Sequence, residues 1–159
     1  MEIYRIPTRE TAVKLLLDDG RSLDGQLYTA DTGPAGRPEH LLHHLNDPDT
    51  EFVPLASGRE NILINKAGIV WAQFVGEAAE EIALDAEGGR RVPVRLSLTG
   101  GISLVGVLSI VMPPERSRVL DYLNAAGRFL PVFGEGAVTL VQRRFVVVAR
   151  SAESGSGAS

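Results

Sequence analysis

Apolar and polar residues alternate along much of the chain. Val13, Leu15 and Leu17 fall on one side of a period-two pattern before the polar turn Asp18-Asp19-Gly20, and Ser22-Leu23-Asp24-Gly25-Gln26-Leu27 resumes it. A period of two sends alternate side chains to opposite faces of a strand, and a glycine turn between two such runs predicts a β-hairpin. The same arrangement returns at Val94-Arg95-Leu96-Ser97-Leu98, Thr99-Gly100-Gly101 and Ser103-Leu104-Val105-Gly106-Val107-Leu108, in step and without a gap. Gly25 and Gly106 lie inside the second strand of each hairpin, where glycine predicts a bulge or sharp bend that curls a short sheet.

The match continues downstream. Leu45-Asn46 answers to Leu123-Asn124, and Phe52-Val53-Pro54-Leu55 to Phe129-Leu130-Pro131-Val132. Leu63-Ile64-Asn65-Lys66 then corresponds to Leu140-Val141-Gln142-Arg143, and Ile69-Val70 to Val146-Val147. The chain therefore reads as an internal duplication of one small β-rich module. The predicted units are residues 1–76, residues 77–150 and a disordered Ser/Gly/Ala-rich tail over 151–159. Each copy is expected to open on an additional strand, Glu2-Ile3-Tyr4-Arg5-Ile6 and Glu81-Ile82-Ala83-Leu84, with a short joint near Gly76 to Glu80.

One helix is predicted per copy, between its second and third principal strands. Pro38 to Leu45 and Pro114 to Leu123 place leucines at helical spacing, with proline and glutamate in the first turn where both are accommodated. Asn46 and Asn124 are expected to close these helices in the left-handed conformation that asparagine tolerates.

Composition narrows the setting. The 159 residues include 44% hydrophobic and 23% charged positions, enough apolar material for a core. Absence of cysteine excludes disulfides and thiolate metal ligands and agrees with a reducing compartment. No signal peptide or membrane-spanning run is expected, so the reading is a cytoplasmic protein without a membrane partner. Residues 1–85 carry seven basic and fifteen acidic side chains, a net of −8, whereas the remainder carries nine and five, a net of +4. Oppositely charged halves attract each other within a chain or between chains.

The order strand, Asp-Gly turn, strand with internal glycine, and late apolar strand preceded by a basic residue resembles the Sm-like family, which includes the eukaryotic Sm proteins and the bacterial Sm-like RNA chaperone. Val13 to Leu27 resembles its first motif. Asn65-Lys66-Ala67-Gly68-Ile69 and Gln142-Arg143-Arg144-Phe145-Val146 stand where its second motif would lie. The resemblance implies a mainly β fold of two tandem SH3-like or Sm-like barrels, each with one inserted helix. It also implies, as an alternative function, RNA contact through Lys66, Asn65, Arg143 and Arg144. The inserted helix and the absence of a histidine in the second motif depart from the family pattern.

Other chemistry is sparse. His40 and His44 are spaced i, i+4 on the predicted helix, the spacing at which two imidazoles share a metal, with His43, Glu39 and Asp47 nearby. The second copy has Arg118 and Asp121 opposite His40 and His43, which favours a solvated helix face. Asp18, Asp19 and Asp24 crowd a turn whose counterpart is Thr99, Gly100 and Val105, and so read as turn chemistry. Tyr28 and Tyr122 lack a basic run beside them, and Trp71 falls in a strand expected to face a core. No catalytic set, phosphate loop or dinucleotide fingerprint is present in the sequence, and no cofactor or small-molecule substrate is expected. The residues point to a non-catalytic interaction or assembly module that binds a protein partner or itself through strand edges such as Phe145-Val146-Val147-Val148.

Overall fold

The computed structural model describes residues 8–30, 40–113 and 118–152. The first hairpin consists of β1 (Thr8–Leu17) and β2 (Ser22–Ala30), and α1 (Leu41–Asn46) separates it from β3 (Phe52–Ser57), β4 (Glu60–Asn65) and β5 (Ile69–Val75). After α2 (Gly76–Asp85) the pattern repeats. β6 (Arg90–Leu98) and β7 (Ile102–Ile110) form the second hairpin, and α3 (Val119–Ala125) leads to β8 (Phe129–Gly134), β9 (Ala137–Gln142) and β10 (Val146–Ser151).

The fold is mainly β; among the described residues every strand is antiparallel to its neighbours in one ten-stranded sheet of order β10-β6-β7-β8-β9-β5-β1-β2-β3-β4. Each half has the same internal order, with its last strand returning to pair with its first. The expected pair of tandem barrels is not what these strands make. The sheet does not close, because β5 pairs on one side with β1 and on the other with β9, so hydrogen bonding runs uninterrupted from half to half.

Both strand glycines sit where the sheet turns, but neither is a bulge: Val13↔Gly25 and Val94↔Gly106 lie in unbroken register. Their role is close approach. A Cβ on Gly25 would stand 2.5 Å from the Ala56 carbonyl oxygen, and one on Gly106 would stand 2.5 Å from Val132 Cγ1 and 2.9 Å from the Phe133 oxygen. Pairing across this corner is brief, with only Gln26↔Ala56 and Leu27↔Leu55 joining β2 to β3, and Val107↔Phe133 joining β7 to β8.

The helices correct the sequence reading in three places. Glu81 to Leu84, expected as a strand, belongs to α2, whose Ala79 and Ile82 occupy one buried face at helical spacing. Gly76, at φ +63°, lets the chain leave β5 directly into that helix, a conformation costly for other residues. Neither asparagine is a left-handed cap. Asn46 is the last residue of α1, followed by an extended Asp47, and Asn124 lies within α3, followed by an extended Ala126 as C-cap. The predicted strand at Glu2 to Ile6, the prolines at 38 and 114, and most of the predicted tail lie outside the described residues, while Ser151 still belongs to β10.

Two apolar clusters form the cores of the halves, and each borrows from the other. Leu15, Leu27, Leu45, Leu55, Ile69 and Phe74 pack with Ile82 of α2, but also with Phe129, Val138 and Leu140 from the second half. Leu96, Leu108, Leu130, Val141 and Phe145 pack with Val70 from the first. Among the described residues, no helix is long and apolar enough to cross a membrane.

Candidate functional site

The basic residue before the last strand of each half is directed inward. Lys66 has no exposed surface, and its ammonium donates to the Asp47 carbonyl at 2.8 Å, Thr50 Oγ1 at 2.8 Å and the His44 carbonyl at 3.4 Å. The two carbonyls lie at the carboxyl end of α1, where such groups lack intrahelical partners and the helix dipole favours a cation, and Thr50 adds a hydroxyl from the loop that follows. Arg143 does the same for the second half, donating to the Leu123 carbonyl at 2.9 Å within α3. Burial pushes the Lys66 pKa below its ordinary value, opposed by the nearby Asp47 and Glu51 carboxylates and assisted by Arg128. The sequence carries only an indirect trace of this role, the recurrence of a basic residue and a helix end in both copies.

The remaining RNA-contact candidates lie on the same two turns. Asn65 is exposed, and its Oδ1 accepts from the Ala67 amide at 2.9 Å. Arg144 is exposed, donates to the Ala67 carbonyl at 3.2 Å and lies 4.8 Å over the Phe145 ring. The structure thus brings Arg144 to the Lys66–Gly68 turn, leaving Lys66 without a solvent-facing surface.

On α1 the structure places His43, not His44, beside His40. Ligand atoms of His40, His43 and Asp85 all lie within 4.8 Å of one another. One nitrogen of His40 is already bonded, however: its Nδ1 accepts from the Leu42 amide at 3.2 Å as the helix N-cap, while its buried Nε2 lies 3.3 Å from the Asp85 carboxylate without a hydrogen bond. That arrangement ties α1 to the end of α2. Asp19 is likewise occupied locally, its carboxyl held below the ordinary range first by the Arg21 amide, as expected for turn chemistry.

The richest constellation is the junction between halves, which sequence reading did not assemble. Trp71↔Val141 through Val75↔Ala137 joins β5 to β9 over five residue pairs. Beside this ladder, Asn46 acts as an added piece of strand: its Oδ1 accepts from the Phe129 amide at 2.6 Å and its Nδ2 donates to the Phe129 carbonyl at 3.2 Å. Gln142, buried, donates to the Lys66 and Ile69 carbonyls at 3.0 and 2.7 Å and accepts from Arg128 Nε at 3.1 Å. Arg128 stands 3.9 Å from Glu51 of the first half.

The outer edges are built differently. Among the described residues β10 pairs only with β6, and β4 only with β3, so both present backbone donors and acceptors outward. Exposed apolar side chains flank them: Val147 and Val148 on β10, Phe52 and Leu63 on the opposite side. Next to β10 lies an open groove of about 1030 Å³ bordered by Leu123, Asn124, Arg143, Val146, Val147 and Ala149. No protein-family model, curated protein or solved structure matches the chain. The fold and its edges therefore define the class on their own terms: an open, duplicated, mainly β sheet protein with an interlocked internal junction and two outward-facing strands.

Proposed function

We propose that this protein is a non-catalytic interaction or assembly module whose two outer strands, β4 and β10, take up a further β-strand. The observation that carries the reading is the coincidence, at both ends of the sheet, of singly paired backbone and exposed apolar side chains. An added strand satisfies the outward amides and carbonyls while covering those side chains, and full burial of a residue such as Phe52 or Leu63 contributes about 1.5–3 kcal/mol. RNA contact, the competing expectation, has less to rest on, because the Lys66 ammonium is consumed by the end of α1.

An array of extended peptides of varied sequence tests this. Binding peptides are expected to slow deuterium exchange at amides of β4 or β10, and Val148→Pro is expected to abolish the effect at β10. Peptide binding that protects other surfaces, or none at any edge, rejects the reading.

A further inference from the structure

We infer that the partner of these edges is a second copy of this chain, joined head to tail with β10 against β4 in the register that already joins β5 to β9. The inference rests on the strand-edge reading above and names its occupant.

Its basis is a comparison of equivalent residues in the two copies. The second half presents Phe129 and Leu140 to the internal junction, where they are 1% and 0% exposed; their counterparts Phe52 and Leu63 are 54% and 71% exposed. The first half presents Val70 to the same junction at 3%, and its counterpart Val147 is 65% exposed. Leu45, Ile69 and Ala72 are fully buried there, whereas Leu123, Val146 and Ala149 are only partly covered and border the open groove. Each of these residues that the internal junction buries thus has an exposed or half-covered twin on an outer face. Those outer faces are the two complementary sides of one further junction.

Polar contacts obey the same rule. Asn46 holds the Phe129 backbone, and Asn124 stands exposed at the corresponding place on the other half, available to the Phe52 backbone of another copy. Arg128 of the second half faces Glu51 of the first. Because Glu51 and Arg128 are themselves equivalent positions, a repeated junction places Glu51 of the next copy against Arg128, and opposite charges meet again. The transferred register pairs Val148 with Ile64, Ala149 with Leu63 and Arg150 with Ile62 of the neighbour. Arg150 then lies one diagonal step from Glu60, within reach of a cross-strand ion pair. The net charges of −8 and +4 on the two parts of the chain favour this head-to-tail sense over pairing of like edges.

A contact between two different faces is heterologous, so copies of the chain join in sequence until a ring closes or an open filament extends. The test uses two substitutions of exposed side chains, Leu63→Lys on β4 and Val147→Lys on β10. Light scattering coupled to size separation is expected to show the unaltered protein above its 17.1 kDa chain mass and each variant at that mass. An equimolar mixture of the variants is expected to form a two-chain complex, since β10 of the first and β4 of the second remain intact. Circular dichroism spectra of both variants should match that of the unaltered chain, and their thermal midpoints should match that of the unaltered protein at a dilution where it is dissociated.

An unaltered protein that stays monomeric at all concentrations overturns the inference, as does a single variant that still dimerises or a mixture that does not. If the unaltered protein is monomeric while peptides still protect β4 or β10 in the exchange experiment, the second copy is rejected and the strand-addition reading stands. If neither occurs, both fall.

Discussion

Lys66 illustrates how a residue type can be read correctly for charge and misplaced for role. A lysine in a turn between strands suggests a solvated cation or a phosphate contact, and nothing local says otherwise. Its burial is decided by α1, about twenty residues earlier in the chain, whose terminal carbonyls need a donor. Lys66→Met keeps much of the stem and removes the donors; the expected loss is about 2–3 kcal/mol of stability in denaturant unfolding, as for a hydrogen-bonded charge.

The Lys66 pKa gives an independent check. Folding lowers it below 10.5, chiefly through burial, so between the folded and unfolded values the unfolded chain binds a proton that the folded chain lacks. Stability from this group is therefore fully present above 10.5 and is lost as pH falls through the folded value. Lys66→Arg remains charged throughout, so the thermal midpoint of the unaltered protein is expected to rise relative to Lys66→Arg as pH approaches 10.5. Partial burial raises the pKa of Tyr122, which acts in the opposite direction but is common to both proteins and cancels in the difference.

Among elements, strands followed the sequence pattern closely and the joint between halves did not. Period two marks β1, β2, β6 and β7 because each has one face on an apolar cluster and one on solvent. Glu81-Ile82-Ala83-Leu84 is too short a window to separate periods, and including Ala79, Ile82 and Ala86 together reveals the helical stripe of α2. Ile82→Ala is expected to cost about 2–5 kcal/mol, since its side chain fills the first cluster. Gly106→Ala forces β7 away from β8 and is expected to destabilise by about 1–3 kcal/mol, measured by the same unfolding curves.

Viewed as a whole, the molecule couples its halves through the β5–β9 ladder, the side chains of Asn46 and Gln142, arginine contacts and shared apolar clusters. Asn46→Ala removes both bonds to Phe129 while leaving each hairpin intact, and is expected to lower stability by about 1–2 kcal/mol. Faster deuterium exchange at the Phe129 amide should accompany that loss, with the β1–β2 and β6–β7 ladders unchanged.

Gly25 and Gly106, which read from the chain as a bulge or sharp bend, are points of close approach, but the duplication, the two hairpins and the place of a helix between hairpin and third strand are legible in residue order alone. Those features are local, carried by periodicity and turn chemistry within a few residues. Tertiary structure alone decided that β5 meets β9, that Lys66 and Arg143 seal helix ends, that His40 pairs with His43 and Asp85, and that Phe129 and Leu140 are covered while Phe52 and Leu63 are not. Two nearly equivalent residues have different surroundings because a duplicated chain with one internal junction must leave one copy of each joining face outside. Repetition is legible in a sequence; which members of the repeated faces become neighbours is settled only by the pairing of strands distant along the chain.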